Sequence, residues 1–262
     1  SKITKQEIVD FAKKFFTDGY VVVYKKQGVD TLQKKIDKPA ITPIQANRDQ
    51  KSAFVQAIQD AKVEPIQPKF VDFQKDLTFA KTGKGLPLRY VQNTINGLFE
   101  LSFLYEFGKS ADNRYSVASD YIDYLGTDQL SAAEVRQKFY ELACDFDVSV
   151  GSNQIQVYLY GLSENMAPAM ALLEDLLQHA KVDKDAYDAM VAKILKSRDD
   201  QKKDQRACFN RLFSYGVYGS RNAAGDVLTA QQLKETNPQV FVDLLKGLAG
   251  YEHSVNYYGP LS

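Results

Sequence analysis

The sequence predicts an α+β domain with a mixed, largely antiparallel sheet and helices packed on one face. Segments that alternate apolar and polar residues occur in clusters, whereas an α/β fold alternates single strands with single helices. The helical segments place their apolar residues three and four positions apart, which is typical of helices that cover one surface. The chain has 262 residues, 44% of them apolar, and can bury the core that this fold requires.

The first 27 residues predict a helix followed by a strand. Ile8, Phe11 and Phe15 have helical spacing, an Asp-Gly turn follows, and residues 20–24 are rich in β-branched and aromatic side chains. A strand needs hydrogen-bonded neighbours. Residues 1–27 are therefore predicted to be the C-terminal end of a preceding domain, with docking of the strand on the later domain as the alternative.

Residues 28–69 predict a linker that contains one short helix. Four prolines in this segment flank a helical pattern at residues 49–61, and proline disfavours helix in the residue before it. The density of regular structure rises from residue 70 onward. We therefore expect a compact domain over residues 70–262.

Three strands open that domain, at residues 77–80, 88–92 and 98–107. A Gly83-Lys84-Gly85 turn joins the first two, so they are predicted to form a hairpin. The third strand is longer and completes the first cluster.

Residues 115–150 predict two helices that meet at a sharp turn. Val117, Tyr121 and Leu125 have helical spacing, and Gly126 ends the first helix. Ser131 lies three residues before Glu134, the spacing of a capping box, and begins the second helix. From residue 147 the period changes to two, and one half-buried strand is predicted to run to residue 161.

The remaining segments predict helices and a last strand. Helices are expected at residues 164–181, from 184 into the charged run SRDDQKKD, at 206–217, at 229–235 and at 238–248. The strand is expected at residues 253–258.

The charge balance argues against nucleic acid and anionic membranes as partners. The 33 basic residues equal the 33 acidic ones and form no basic block. No apolar run reaches the roughly 18 residues of a transmembrane helix, and the N-terminal residues lack the apolar centre of a signal peptide. An extracytoplasmic (periplasmic) and a cytoplasmic location are both compatible with the sequence.

Two cysteines, two histidines and two acidic residues are the candidates for chemistry. Cys144 and Cys208 are predicted to be small buried side chains in helices, with a disulfide as the alternative. His179 and His253 are predicted to be structural or solvated, and no Ser-His-Asp or Cys-His set can be assembled. Asp120 and Asp123 are i,i+3 neighbours, which indicates a solvated helix face more than a metal site. The 16 tyrosines either line a peptide-facing surface or pack at the domain edge.

The chain resembles the pitrilysin/insulinase family of zinc metallopeptidases, the inverzincins of the H-x-x-E-H motif. The similar segments are LFELSFLYEFGKSADN, a helix ending in YLGT, LSAAEVRQKFYELACDFDVSV and NQIQVYLYGLSEN. In that family a strand with a Gly-Ser-like turn precedes the motif helix, and Gly-Thr ends it. The resemblance spans residues 70–262 and implies the metallopeptidase LuxS/MPP-like fold. Residues 1–27 resemble the end of the preceding domain in long members, whose four domains form two halves joined by a linker.

The zinc ligands of active members are missing from this sequence. Zinc needs two histidines four residues apart on one helix and a glutamate from a later helix, with a further glutamate to activate water. If Gly126 marks the Gly-Thr stop, the motif lies within residues 117–123, which read Val-Ala-Ser-Asp-Tyr-Ile-Asp. No glutamate occurs between Glu174 and Glu235. The resemblance therefore implies a silent domain, with no catalytic or metal-binding residues and with substrate-binding residues unassigned.

These observations favour a non-catalytic fragment of a zinc-dependent metalloendopeptidase. The resemblance implies a domain three, in the half that closes over the catalytic half of the same parent chain and encloses peptide substrates. Zinc is then expected in the active domain of the parent and no cofactor in this fragment. The alternative is a pseudopeptidase scaffold or partner-binding module whose parent has no active half. An unrelated α+β binding domain is a third possibility, which a sheet without helices on a single face would favour.

Overall fold

The computed structural model describes residues 3–28, 37–43, 50–222 and 225–261. The chain divides into two compact units, Ser1–Gln67 and Pro68–Ser262. Parts of the predicted linker at residues 28–69, including the start of the helix predicted at 49–61, lie outside the described residues. The assignment of residues 1–27 to a preceding domain stays a prediction.

The first unit contains two helices, α1 (Lys5–Phe15) and α2 (Ala53–Asp60). The Thr4 hydroxyl accepts the backbone N–H of Glu7, and the Glu7 carboxylate accepts the Thr4 N–H at 2.7 Å, so a capping box begins α1. No residue of either helix is buried. The strand predicted at residues 20–24 is wrong for this chain, because these residues pair with no strand in the described part of the chain and remain exposed.

The second unit is an α+β domain, which confirms the predicted fold class. Its strands are β1 (Thr78–Lys81), β2 (Pro87–Gln92), β3 (Leu98–Tyr105), β4 (Cys144–Val150), β5 (Ile155–Leu162) and β6 (Ser254–Gly259). They form a six-stranded sheet in the order β1-β2-β6-β3-β5-β4. Among these strands β2 and β6 pair in parallel, and every other neighbouring pair is antiparallel.

The helices of this domain follow the predicted segments closely. They are α3 (Arg114–Tyr121), α4 (Ala132–Glu141), α5 (Met166–His179), α6 (Lys184–Gln201), α7 (Gln205–Tyr218), α8 (Ala230–Glu235) and α9 (Gln239–Gly247). Asp183 and Asp204 cap α6 and α7, because each side chain accepts a backbone N–H of the first turn. None of the helices in the described part of the chain combines the length and the apolar character needed to cross a membrane.

Two predictions about the segment after α4 are wrong. The single strand predicted at residues 147–161 is a hairpin of β4 and β5, and Cys144 begins β4 instead of lying in a helix. Cys144 lies in a strand because α4 ends at Glu141 and Ala143 adopts a left-handed conformation with φ 48°, which turns the chain directly into β4. The break between β4 and β5 is a turn in which the N–H of Gly151 donates to the carbonyl oxygen of Gln154 at 2.9 Å. The early inward side chains of β4 are Cys144 and Phe146, so the alternation begins before residue 147.

The helices bury one face of the sheet. Phe99 and Tyr105 of β3 and Val157 and Leu159 of β5 alternate with more exposed residues and pack into one continuous core. α5 contacts β4 and β5, while α3 contacts β4 and α9. One sheet with helices on one face is the arrangement that the resemblance implied.

α7 differs from the other long helices of this unit because none of its residues is buried. Its large apolar side chains are exposed, including Phe209, Leu212, Phe213 and Tyr218. Cys208 lies on this helix and is exposed and free, so the prediction of a buried side chain is wrong for Cys208. Cys144 is buried and also free, as expected for a small core side chain.

The contrast between α5 and α7 gives a test of the core. Leu173 of α5 is 0% exposed and Leu212 of α7 is 69% exposed. We expect Leu173→Ala to lower the free energy of unfolding by about 3 kcal/mol, because it removes buried methyl groups and leaves a cavity. Leu212→Ala is the matched control, with an expected change below about 0.5 kcal/mol. Urea unfolding followed by circular dichroism measures both, and equal losses would contradict the assignment of the core.

Candidate functional site

The segment in which a zinc motif would lie forms the second half of α3 and the 3-10 turn after it. Val117, Ala118, Tyr121 and Ile122 are buried, and they supply the inner face of this segment. Ser119, Asp120 and Asp123 lie on the outer side and line a cavity. Four of the seven residues are therefore committed to the core. The other three residues of 117–123 are the ones that line the cavity.

Tyr121 is the central residue of this segment. Its side chain is 0% exposed, and its hydroxyl donates to the carbonyl oxygen of Asp183 at 2.7 Å. The same hydroxyl accepts the backbone N–H of Asp183 at 3.0 Å. Both hydrogen bonds are made with Asp183, the N-cap residue of α6. Tyr121 therefore connects the motif segment to α6. Sequence reasoning missed this role, because the partner is 62 residues away. The signal in the sequence was a tyrosine on the apolar face of a helix, because the hydroxyl of a buried tyrosine usually has a hydrogen-bond partner.

A second tyrosine extends this connection into the core. The ring of Tyr187 on α6 lies edge to face with Tyr121, at 5.3 Å between ring centroids. Its hydroxyl donates to the carbonyl oxygen of Leu233 at 2.7 Å. Burial raises the pKa of Tyr187 to about 12. Both phenols therefore remain neutral hydrogen-bonding groups at physiological pH.

The Gly126-Thr127 stop is a close-packed turn. The backbone N–H of Lys181 donates to the Gly126 carbonyl oxygen at 3.0 Å. The buried Thr127 hydroxyl accepts the N–H groups of Gln129 and Leu130 at 3.2 and 3.3 Å. A Cβ atom at Gly126 would lie 2.3 Å from the carbonyl oxygen of Leu130, so glycine is required by space. This turn fixes the end of the motif segment against the start of α4.

The predicted capping box of α4 is confirmed. The Ser131 hydroxyl accepts the N–H of Glu134 at 3.3 Å, and the Glu134 carboxylate accepts the N–H of Ser131 at 2.8 Å. The Ser131 hydroxyl also donates to the Glu134 carboxylate at 2.7 Å, and this bond, followed by the bond from the Ser131 N–H, holds the pKa of Glu134 below its ordinary value. On the same helix Arg136 forms an ion pair with Asp123 at 2.8 Å and also donates to the Asp123 carbonyl oxygen. The C-terminal end of the motif segment is thus joined to α4.

A cavity of about 520 Å³ lies beside the motif segment, and we call it the α3–α6 cavity. Asp120, Asp123 and Ser119 line one side of it, and Lys193 and Ser197 of α6 line the other. Desolvation, followed by the negative charge of Asp123, raises the pKa of Asp120, and the positive charge of Lys193 partly opposes this. The cavity therefore contains charges of both signs.

The residues around this cavity do not fit zinc. The motif segment supplies two carboxylates and no imidazole, and the facing residues of α6 are Met190, Lys193, Ile194 and Ser197. A lysine cation opposite the carboxylates competes with a metal ion for the same oxygens. In the part of the chain that the structure describes, no three His, Cys, Asp or Glu side chains are grouped as metal ligands.

The two histidines lie away from the α3–α6 cavity. His179 is at the C-terminal end of α5, where Nδ1 lies 2.8 Å from a carboxylate oxygen of Asp175. His253 precedes β6, and its Nδ1 lies 2.8 Å from the carbonyl oxygen of Tyr251. Neither histidine lines the cavity with Ser119 or Ser197. The described residues around this cavity therefore contain no serine–histidine pair for nucleophilic catalysis.

Solved structures with the same fold are peptidase domains. An inactive domain of peptidase M16 from Pseudomonas fluorescens matches with a TM-score of 0.60 and 16% identity, over 71% of this chain and 47% of that chain. The periplasmic protease PqqL from Escherichia coli matches with a TM-score of 0.61 and 10% identity, over 99% of this chain and 27% of that chain. The ferredoxin protease FusC, solved with Arabidopsis ferredoxin, matches with a TM-score of 0.60 and 13% identity, over 78% and 24%.

These matches show that the chain has a fold found in peptidase M16 domains. No protein-family model matches the sequence, and the comparison with curated proteins also gives no match. The chain spans less than half the length of each solved chain named above. At 10 to 16% identity these matches show the fold alone, and residues 117–123 carry the Tyr121 hydrogen bond and contain no histidine.

The close packing of Gly126 gives a test of the turn. We expect Gly126→Ala to lower the free energy of unfolding by about 2 kcal/mol, because the new methyl group collides with the Leu130 carbonyl. Gly247→Ala on α9 is the control, since a Cβ there meets no heavy atom within 4 Å. The control is expected to be neutral or more stable by up to about 1 kcal/mol. Thermal and urea unfolding of both variants distinguish the two outcomes, and a neutral Gly126→Ala would contradict the described turn.

The environment of Asp120 gives a test of the cavity's electrostatics. Because the folded-state pKa of Asp120 is raised, its ionisation opposes folding as pH rises through and above the ordinary carboxyl range. We expect Asp120→Asn to gain stability relative to the unmodified chain near neutral pH and to lose this gain at pH values where the carboxyl is protonated in both states. The gain is expected to stay below about 1 kcal/mol, since the side chain is exposed. Urea unfolding across pH measures it, and a gain that is larger at acidic pH would contradict the sign.

Proposed function

We propose that this chain is a non-catalytic part of a longer zinc-dependent metalloendopeptidase of the pitrilysin/insulinase family. The observation that carries the proposal is the motif segment itself. Its Gly126 turn, its capped following helix and its packing are complete, while Tyr121 bonds to Asp183 where a metal site would require ligands. A motif segment that keeps its fold and has no metal ligands fits a domain that contributes shape to the protein, while another domain of the parent carries out the hydrolysis.

The solved matches support a position within a longer chain. The match to PqqL covers 99% of this chain, so it includes residues 1–67 as well as the sheet domain. The Pseudomonas fluorescens domain is itself described as inactive. On this basis residues 1–27 are the end of domain two, residues 28–69 are the linker between the halves, and residues 70–262 are domain three.

The sheet face opposite the helices supports a role in contacting peptides. Arg89, Asn256 and Ser102 lie side by side across β2, β6 and β3. Arg89 donates to Asn256 Oδ1 at 3.2 Å, and Asn256 Nδ2 donates to Ser102 Oγ at 3.2 Å. The exposed tyrosines Tyr160 and Tyr258 lie on this same face. In the proposed chamber this polar, tyrosine-bearing face contacts enclosed peptides through hydrogen bonds and ring surfaces.

The exposed apolar side of α7 supports contact with another part of the parent chain. Leu212 and Phe213 are each more than half exposed, and Phe209 stacks on Phe213 with 6.4 Å between ring centroids. Exposed apolar clusters of this kind mark interaction surfaces in soluble proteins. We assign this surface to the catalytic half of the same parent, which supplies the zinc and the hydrolysis.

The proposal that this chain has no catalytic activity of its own can be tested directly. After incubation with low micromolar zinc and buffer exchange, the 262-residue chain is expected to retain no stoichiometric zinc and to leave a quenched fluorescent peptide intact, because residues 117–123 supply no imidazole. Metal analysis and fluorescence measure the two properties. Tight zinc binding at one ion per chain would overturn the assignment.

The role within the parent is tested by reconstitution. The separately produced catalytic half is expected to hydrolyse the peptide faster when this chain is added, since the second half completes the chamber. The double variant Leu212→Asp and Phe213→Asp is expected to reduce that activation, and Tyr140→Asp on α4, which is 85% exposed, is the control. A parent sequence without an HxxEH motif before this segment would instead support the scaffold alternative. Normal activation by the double variant would exclude α7 as the contact.

A further inference from the structure

A second cavity lies within the sheet domain, between the helix-covered face of the sheet and two helices. We call it the β3–α5 cavity; its volume is about 520 Å³, within the range of small-molecule sites. Its inner lining is apolar and comes from Phe103, Met170, Leu173, Leu177, Leu248 and Tyr251, among others. This cavity shares no residue with the α3–α6 cavity. It is therefore separate from the motif segment.

Tyr105 brings a hydrogen-bonding group without a partner to this lining. The residue is 5% exposed, and its hydroxyl has no hydrogen bond to the described residues. Among the described residues, the fully buried side-chain oxygen or nitrogen atom without a hydrogen-bond partner is Ser163 Oγ. The Tyr105 hydroxyl is not enclosed in that way, so it keeps accessible surface, and Tyr105 lies at the wall of the cavity. A phenol hydroxyl that keeps accessible surface at the wall of a cavity is free to hydrogen-bond with a molecule in that cavity.

His253 supplies a second hydrogen-bonding group to the same lining. Its ring centroid lies 4.9 Å from that of Tyr105 and 5.8 Å from that of Phe103. Its Nδ1 lies 2.8 Å from the Tyr251 carbonyl oxygen, which can only accept, so Nδ1 carries the proton. In the neutral ring Nε2 is then an acceptor. Tyr105 and His253 thus contribute an O–H donor and a nitrogen acceptor to the lining of one cavity.

The charges at the rim of the cavity cancel. Lys84 and Lys246 contribute two positive charges, and Glu174 and Glu252 contribute two negative charges. No ion pair joins these four side chains to any other described residue. A balanced rim over an apolar interior gives no advantage to a charged ligand, because the ligand would lose its hydration without a matching counter-charge. The cavity therefore favours an uncharged occupant.

We infer that the β3–α5 cavity is a binding site for a small, uncharged aromatic molecule that carries a hydroxyl group. The aromatic and methionine side chains of the lining contact the ring of such a molecule by its faces and edges. The hydroxyl of the ligand donates to His253 Nε2 and accepts from the Tyr105 hydroxyl, which satisfies both groups at once. This inference rests on the sheet domain alone and is independent of the proposed peptidase role.

The test uses the 262-residue chain with p-cresol as the probe and toluene as an isosteric ring without a hydroxyl. We expect p-cresol to bind saturably at one site with a Kd of about 0.1–1 mM. Toluene is expected to bind at least about threefold more weakly, because it leaves both protein groups unpaired. Chemical-shift titration by NMR measures both affinities. Equal affinities, or no saturable binding of p-cresol, would overturn the inference.

Variants locate the site. Tyr105→Phe removes an oxygen that has no partner, so the fold is expected to be retained and p-cresol to bind about three- to tenfold more weakly. Tyr140→Phe on α4, whose side chain is 85% exposed and does not line the cavity, is the matched control and is expected to leave binding unchanged. Leu177→Trp fills the cavity and is expected to abolish binding of both probes. Unchanged p-cresol affinity in Leu177→Trp or Tyr105→Phe would place the probe elsewhere and overturn the assignment.

Discussion

The packing of the inner face of α3 is the constraint on which the rest of the sheet domain depends. Ala118 and Tyr121 are 0% exposed, and α3 contacts both β4 and α9. The Tyr121 hydroxyl then fixes the start of α6 through two hydrogen bonds to Asp183. Because a buried hydroxyl left without a partner is costly, the positions of α3 and α6 are determined together. The α3–α6 cavity takes its shape from this pair of helices.

This constraint explains how residues 117–123 keep their fold without metal ligands. A residue that faces the core must be apolar, or its polar group must have a hydrogen-bond partner within the core. Tyr121 meets the second condition, because its hydroxyl donates to the carbonyl oxygen of Asp183. Ser119, Asp120 and Asp123 face the cavity, where the fold places few demands on chemistry. The Gly126 turn and the Ser131 capping box carry structural demands of their own, so they persist without a metal.

Sequence periodicity and local signals predicted most of the fold and little of the tertiary detail. The Ser131 and Glu134 pair predicted the start of α4, because both partners of a capping box lie within one turn. The early start of β4 was missed, since it depends on the left-handed Ala143, a conformation that alanine seldom adopts. The β4–β5 hairpin was missed although its turn at residues 151–154 contains the turn residues Gly151, Ser152 and Asn153. The isolated segment at residues 20–24 had strand propensity but no partner to pair with. The sequence shows that Asp120 and Lys193 are charged, but it does not predict that these two charges interact across the cavity.

The α3–α6 cavity is lined by charged residues and the β3–α5 cavity by mainly apolar ones, and the positions of β4 and β3 in the sheet explain this difference. β4 is an edge strand, so the cavity beside it opens to water and collects charged residues of α3 and α6. β3 lies inside the sheet, between β5 and β6, so a cavity above it is floored by core side chains such as Phe103 and Val157. A polar group placed there, as Tyr105 is, has few partners unless a ligand supplies one. The position of a strand within the sheet thus sets which kind of molecule each cavity can accept.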